Sequence, residues 1–314
     1  MNQSRKMTDG ALLLAVFMVM LLITLFVPVL TIFGMFFLPI PFVLFASRYG
    51  LKPSLLMFAV ALVLTVLIAT FFSLPLAILM GVGGITIGTA IYKDISPYET
   101  WARGTLGFVV GLLFIFVFSQ VLFSVNWVQE FEVILTDSME MSASLMETLG
   151  VAGQSAEFEE LMQLQIQGLI NLLPVGLALS ALLLAFISQW ISYKFINRLE
   201  KKELRFSPFR NLRFPTSIIW VYFFALFFSF FGLDSTSFFF IAVQNVLVLT
   251  GLILSLQGFS FIFFYAHHKK MSKFIPILIV VLTILFPTFL LYFIRILGII
   301  DIGFRLRDHL ESKK

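Results

Sequence analysis

The chain contains no cysteine, so disulfide bonds, thiol catalysis and thiolate metal sites are excluded. Charged residues are also scarce: they make up 12% of the 314 residues, whereas a soluble domain has about 25%. No H-E-x-x-H, P-loop or G-x-S-x-G pattern occurs. No paired acids lie inside the apolar runs. The sequence therefore predicts neither an enzyme nor a bound metal or cofactor.

Long apolar runs are what the chain has instead, with 60% hydrophobic residues and a mean hydropathy of +1.03. Several runs reach about 20 residues, the length that crosses about 30 Å of hydrocarbon. The fold class predicted is all-α: a polytopic membrane helix bundle with about nine crossings. The first run starts at Ala11 after Arg5 and Lys6 and resembles a signal peptide, but it lacks a cleavage site. We therefore interpret it as a retained first crossing.

Composition divides the chain into three parts. Residues 1–200 are predicted to form a six-crossing membrane domain, which includes a helical insert at 124–168. Residues 201–215 form a basic linker on the cytoplasmic side. Residues 216–314 form a C-terminal membrane region with three or four apolar segments.

The insert at 124–168 has acidic residues but no Lys or Arg. Its apolar residues from Trp127 to Leu149 recur at helical steps, which predicts an amphipathic helix. The acids are Glu130, Glu132, Asp137, Glu140, Glu147, Glu157, Glu159 and Glu160. They suit either a solvated face or a cation site, and the absence of a D-x-D-x-D-G loop favours the solvated face.

Basic residues lie beside the apolar runs rather than in one polar domain, so the net charge of +4 does not indicate a nucleic-acid partner. Positive residues of short loops stay in the cytoplasm. This rule predicts a cytoplasmic N-terminus and an extracytoplasmic insert at 124–168. The lipid bilayer is the first expected partner.

A glycine-rich stretch at 75–92 is predicted to be the central helix of the bundle. Ala77, Gly81, Gly84 and Gly88 follow one another at steps of 4, 3 and 4, so they share one helix face. Such a stripe lets helix backbones approach closely in lipid. Packing is the more ordinary role, and room for a ligand is the alternative.

Polar residues inside the crossings are few. Those considered as a polar lining are Asn171, Gln244, Asn245 and Arg295. A cation at membrane depth suggests a functional site, although Arg295 could also extend to the membrane surface. Amides such as Gln244 and Asn245 more often link helices than bind a ligand.

Prolines leave two segments open to alternatives. Crossing 2, about residues 32–46, contains Pro39 and Pro41 and is either a kinked helix or a broken segment beside a binding site. Residues 274–304 contain Pro287 and form either one crossing or a re-entrant pair of half-crossings.

The whole chain resembles the YybS family of multi-pass bacterial membrane proteins, whose closing pattern is matched by Leu297 to Arg305. Residues 1–200 more distantly resemble the S components of energy-coupling-factor transporters. That resemblance implies six crossings with both ends inside and docking of helix 1 to the transmembrane coupling protein through Ala11 and Ala15. It also implies a substrate pocket closed by a loop, here Pro28–Gly34.

Two functional hypotheses follow. The first is a small-molecule-binding transport component that works with an energy-coupling transmembrane protein and its ATPases. The second is a non-catalytic scaffold or regulatory subunit that holds a partner through the acidic insert or the basic linker. The sequence does not predict the oligomeric state.

Overall fold

A computed structural model describes residues 3–148, 156–232, 234 and 237–312. Within these ranges the chain is helical and has no strand, which confirms the predicted all-α polytopic class. Seven helical segments of the described residues are long and apolar enough to cross a membrane. The chain divides into two compact units, Met1–Phe206 and Ser207–Lys314.

Unit 1 contains nine α-helices among its described residues. They are α1 (Gln3–Phe26), α2 (Pro28–Phe37), α3 (Ile40–Tyr49), α4 (Leu51–Leu64), α5 (Leu74–Tyr92), α6 (Pro97–Phe123), α7 (Trp127–Thr148), α8 (Ala156–Asn171) and α9 (Leu173–Glu200). A π-helical turn at Thr65–Ala69 extends α4, and a 3₁₀ turn at Phe71–Ser73 precedes α5. The predicted stripe residue Leu149 lies outside the described residues.

The helices of unit 1 begin and end where the local sequence favours it. Ser96 caps α6, since its hydroxyl accepts a hydrogen bond from the Glu99 amide, and Pro97 occupies the first turn. The segment with two prolines breaks between α2 and α3, at Leu38 and Pro39. The two halves together still form one candidate span, Pro28–Tyr49.

One end of unit 1 is fixed by charged side chains and is called here the charged end of unit 1. Arg48 at the end of α3 binds Asp9 of α1 (Nη1 to Oδ2, 3.2 Å) and Glu200 of α9 (Nε to Oε1, 2.6 Å). Gly50 lies against the ring of Tyr92 at the end of α5. The N-terminus of α1 and the C-termini of α3, α5 and α9 therefore meet at this end.

Connectivity then fixes the direction of the other helices in unit 1. The helices α1, α4 and α6 start at the charged end, and α6, with 27 residues, extends about 40 Å from it. The returning helices are α2 with α3, α5, and α9. The pair α7 and α8 joins α6 to α9 and so lies at the opposite end.

The core of unit 1 lies between α1, α3, α5, α6 and α9. Phe17, Leu38, Phe42 and Phe108 are fully buried in it. Phe42 makes edge-to-face contacts with the rings of Phe17 and Phe58. In hydrocarbon such close packing, rather than escape from water, holds helices together.

Unit 2 contains five α-helices among its described residues. They are α10 (Ser217–Ser229), α11 (Phe238–His268), α12 (Phe274–Leu285), α13 (Pro287–Gly303) and α14 (Leu306–Ser312). A 3₁₀ turn at Phe209–Asn211 precedes them. The predicted seventh crossing is shorter than expected: α10 ends at Ser229 and, with 13 residues, is about 20 Å long.

The segment 274–304 bends at Phe286 into α12 and α13 and turns back. Contacts with α11 show the direction of α13, because Asp301 binds Gln257 whereas Arg295 lies beside Gly251. Residue numbers rise in the same direction in both helices, so they are parallel. Since α12 begins next to the end of α11, the two helices α12 and α13 form a hairpin that returns to the end of α11, which is the geometry that a re-entrant pair requires. Each is shorter than the roughly 30 Å that a full crossing needs.

Candidate functional site

A buried ion pair lies where α11, α13 and α14 meet in unit 2. Arg307 is 2% exposed and Asp301 is 4% exposed. The Arg307 Nη2 and Nε atoms lie 2.8 Å and 2.9 Å from the same Asp301 carboxylate oxygen. A buried ion pair is stable only where the other hydrogen-bonding groups of both partners are also satisfied.

Those additional bonds are present. Arg307 Nη1 donates to the carbonyl oxygens of Arg210 (2.7 Å) and Leu212 (3.1 Å), and Nη2 donates to the Ser260 hydroxyl (3.2 Å). Gln257 donates through its amide nitrogen to Asp301 and accepts at Oε1 from the Phe214 amide. The network therefore fixes the segment 210–214 to α11 and to α14.

Burial lowers the pKa of the Arg307 guanidinium, while the hydrogen bond and the charge of Asp301 oppose that shift. The rings of Phe264 and Phe261 lie 5.4 Å and 6.0 Å from Arg307 Cζ and provide a cation–π environment. Arginine is not deprotonated in proteins, so Arg307 keeps its charge near neutral pH. It acts as a fixed cation and is unsuited to proton transfer.

The pair borders a cavity of about 270 Å³. Arg213 and Asp308 also line it, and they form a partly exposed ion pair of 2.7 Å. The hydrogen bond from Arg213 lowers the pKa of the Asp308 carboxyl. Arg213 and Arg307 are thus each paired with a carboxylate of the lining, which favours a structural role for these two pairs, while Arg305 also lines the cavity and forms no ion pair with the described residues.

Arg295 lies deeper in unit 2. Its Nη1 donates to the Tyr222 hydroxyl (3.3 Å), its Cζ is 5.7 Å from the centre of that ring, and Gly251 leaves room for the guanidinium. Its Nε is buried and has no hydrogen-bond acceptor among the described atoms. No carboxylate within the described part of the chain forms an ion pair with it.

The other predicted polar residues are divided between the two units. Asn171 is buried in unit 1, where Gln167 donates to its Oδ1 atom. In unit 2, Asn245 is buried and donates to the Ile241 carbonyl. The Oε1 atom of Gln244 is buried without a partner among the described residues. Asn171 and the other three residues belong to different units.

The predicted glycine stripe on α5 is buried and in contact with neighbours. Ala77, Gly81, Gly84 and Gly88 all lie in the interior of unit 1. A Cβ atom at Gly84 would be 2.6 Å from the Pro39 carbonyl oxygen, and one at Gly88 would be 2.6 Å from the Val43 carbonyl oxygen. The ring of Phe58 covers Gly81. Neighbouring atoms thus occupy the space that a ligand would need at these positions.

Ala11 and Ala15 lie on the exposed side of α1, whereas Leu13, Phe17 and Leu21 face the core. The prediction of a loop at Pro28–Gly34 is wrong, because these residues belong to the helix α2. Pro28 suits the first turn of a helix, and the apolar residues after it continue that helix. No residue of α2 is buried.

The sequence did not single out the ion pair of Arg307 or the bridge made by Arg48. Both arginines lie in basic segments near helix ends, where exposure is the ordinary expectation. Asp301 was the available signal, since this acid directly follows the apolar run 296–300. Among the described residues no group of three His, Asp or Glu could hold a metal ion.

Apolar helices able to span a membrane, with ion pairs near their ends, define a polytopic helical membrane protein. The chain belongs to the DUF2232 family of predicted membrane proteins, which matches residues 15–302. It is 29% identical to the uncharacterized protein YybS of Bacillus subtilis (strain 168) over 311 residues, or 99% of this chain and 100% of that protein. The family resemblance expected from the sequence is thereby confirmed. No solved structure matches the chain.

Proposed function

We propose that this protein is a non-catalytic component of a bacterial membrane complex and that it docks to a partner transmembrane protein through α1, as S components do. The exposed face of Ala11 and Ala15 carries the proposal. Small residues on an exposed face let a partner helix approach closely in lipid. The large apolar residues Leu12 and Val19 flank them and are 60% and 57% exposed.

The path of the chain in unit 1 supports the same comparison. Six membrane segments start and finish at the charged end, as the S-component resemblance implies. The positive-inside rule supports a cytoplasmic location for that end, because no Lys or Arg lies between Arg103 and Lys194. We infer a cytoplasmic N-terminus and an extracytoplasmic insert at 124–168 in the cell membrane.

Co-purification from native membranes tests the docking face. The bulky side chains of Ala11→Trp and Ala15→Trp should prevent close helix approach and abolish recovery of the energy-coupling transmembrane protein with its ATPases. Val63→Trp is the matched control, because Val63 is already a large apolar side chain and is 58% exposed on α4. Equal recovery with all three variants, or no partner with the unchanged protein, would refute the proposal.

Binding of a small molecule is a separate part of the transport hypothesis. The packing around Gly84 and Gly88 leaves no ligand space at the glycine stripe. A transported molecule would therefore contact other residues of unit 1. If a Gly84→Ala variant kept its fold and its docking but no longer supported uptake of the transported molecule, that result would favour a ligand role for this stripe.

The exposed stripe on α7 favours a second candidate function, that of a scaffold. Ile134, Met141 and Leu145 are 60%, 68% and 56% exposed, although they share the apolar face of the helix. Photocrosslinkers attached to Met141→Cys should capture a partner protein, whereas those on the acidic face at Glu140→Cys should not. The chain has no native cysteine to interfere. Capture of lipid alone at Met141 would count against a scaffold.

A further inference from the structure

A second cavity of unit 2, of about 430 Å³, is lined by basic residues and apolar residues and by no acid. The basic side chains are those of Arg210, His267, Lys270 and Lys273. None of them has an ion-pair partner among the described residues, which distinguishes them from Arg213 and Arg307. Cations gathered without a counter-charge favour an anion between them. We propose that this cavity binds the phosphate group of an anionic phospholipid.

The apolar part of the cavity favours a lipid over a small soluble anion. Phe263, Met271, Pro276 and Ile277 contribute to the lining. An inorganic phosphate needs only the cations, whereas a phospholipid also brings acyl chains that can cover these apolar side chains. The lining thus combines the two surfaces that one lipid molecule presents.

The position of the cavity in the chain also favours a lipid. Residues 238–266 carry no charged side chain, and neither does α12. The cavity lies where the end of α11 and the first turn of α12 meet the basic turn 267–273. This is the depth at which apolar helices leave the hydrocarbon and headgroups begin. Basic pockets between helices on the cytoplasmic side suit anionic headgroups.

The wall that carries Arg210 is fixed without any ligand. The Ser260 hydroxyl donates to the Phe209 carbonyl (2.8 Å), and Arg307 donates to the Arg210 carbonyl (2.7 Å). The ring of Phe209 packs edge-to-face on Phe263 at 5.6 Å. A site held in place beforehand loses less conformational freedom on binding. The buried ion pair of Arg307 thereby acts as a positioning element for this cavity.

Native mass spectrometry of the full chain in zwitterionic detergent tests the assignment. Phosphatidylglycerol and phosphatidylcholine are titrated separately, and the unchanged protein should retain phosphatidylglycerol preferentially. Removing one cation, as in Lys270→Gln, should weaken that binding about fivefold, since a cation near an anionic surface contributes about 1 kcal/mol. The triple variant Arg210→Gln, Lys270→Gln, Lys273→Gln should weaken it about a hundredfold.

A charge-matched control separates lipid binding in the cavity from a general electrostatic attraction between the basic protein and anionic lipid. Lys52→Gln, Lys93→Gln and Lys269→Gln together remove the same charge at exposed positions that do not line the cavity. This control should keep its phosphatidylglycerol affinity, and thermal melting should show both triple variants folded. Equal loss in both triples, or no preference for phosphatidylglycerol in the unchanged protein, would overturn the proposal.

The source of the phosphate is tested in the same experiment. Millimolar inorganic phosphate should not displace phosphatidylglycerol, and Ile277→Asn should weaken lipid binding although every cation remains. Displacement by phosphate alone, with no effect of Ile277→Asn, would assign the cavity to a soluble anion and overturn the lipid assignment. A protein segment that occupies the cavity in place of lipid would overturn it as well.

Discussion

At the scale of single residues, the buried pair of Arg307 and Asp301 is the clearest energetic feature of unit 2. We predict that Arg307→Ala lowers the free energy of unfolding by about 3–5 kcal/mol, because it leaves Asp301 charged and buried without its partner. The Arg210 carbonyl also loses the donor Arg307, and the Leu212 carbonyl keeps only the Ser260 hydroxyl. Unfolding of the purified protein in detergent, followed by circular dichroism, measures the change. Replacing both partners with leucine should cost less than Arg307→Ala alone.

The neighbouring pair of Arg213 and Asp308 supplies the control. Its side chains are 49% and 50% exposed, so solvent screens their attraction and Arg213→Gln should change stability far less. The lowered pKa of Asp308 also fixes the sign of its pH dependence. The contribution is present above the ordinary carboxyl pKa and is lost as the pH falls through the lowered value. A loss from Arg213→Gln equal to that from Arg307→Ala would contradict the assignment.

The sequence predicts contacts between single residues least well. Arg307 lies in a polar C-terminal segment with Asp308 and Glu311, where nothing local indicates burial. Its partners Ser260 and Leu212 are 47 and 95 residues away. Only the fold brings such groups together, so composition and spacing cannot predict the network. Arg295 was predicted from its apolar surroundings, but its contacts with Tyr222 and Gly251 were not.

At the scale of helices, the glycine stripe of α5 permits close approach to α3. We predict that Gly84→Ala lowers the free energy of unfolding by about 1–3 kcal/mol, the usual cost of overpacking. The added Cβ would be 2.6 Å from the Pro39 carbonyl oxygen, which is backbone and cannot move aside easily. Gly176→Ala on α9 is the matched control, because no atom lies within 4 Å of its Cβ position. It should leave stability unchanged or raise it by up to about 1 kcal/mol. Equal melting of the two variants would contradict tight packing at Gly84.

At the helix ends, some local sequence signals were sufficient to predict where a helix starts or breaks. Ser96 and Pro97 predicted a helix start, and Pro39 predicted an interruption, because both signals act through their own backbone groups. The π-helical turn at Thr65–Ala69 carries no such signal. The break at Phe286 was anticipated from Pro287, but the direction of the following helix depends on α11. Contacts across helices, rather than local propensity, decide whether such a segment crosses or returns.

The return of α13 gives a prediction about accessibility. A re-entrant pair places the turn before α12 and the helix α14 on the same side of the membrane, opposite to the turn before α11. Ser272→Cys and His309→Cys should therefore react with a membrane-impermeant maleimide from one side, and Asp234→Cys from the other. The cysteine-free chain makes single-cysteine labelling specific. Labelling of His309→Cys and Asp234→Cys from the same side would show that residues 274–304 cross the membrane.

At the scale of the molecule, the basic residues of each unit lie beside particular helix ends. In unit 1 the basic residues flank the segments that meet at the charged end, whereas residues 104–193 have none. In unit 2, Arg210, Lys270 and Arg305 adjoin the end of α11 or α13. The sequence pattern predicted this asymmetry, since it depends on charge and chain order alone. A ninth full crossing would place the basic residues of the C-terminal segment on the side of the membrane opposite to the basic turn 267–273, whereas a re-entrant pair keeps both on one side.

The proposed membrane orientation rests on that asymmetry, because cations beside membrane segments are retained on the cytoplasmic side. In intact cells, Glu140→Cys on α7 should react with an impermeant maleimide, whereas Lys93→Cys should react only after the membrane is permeabilised. Both side chains are exposed, so burial does not explain a difference between them. Reaction of Lys93→Cys but not Glu140→Cys in intact cells would invert the membrane orientation. It would then place the Ala11 end of α1 outside, away from any cytoplasmic ATPase, and the S-component comparison would fail with it.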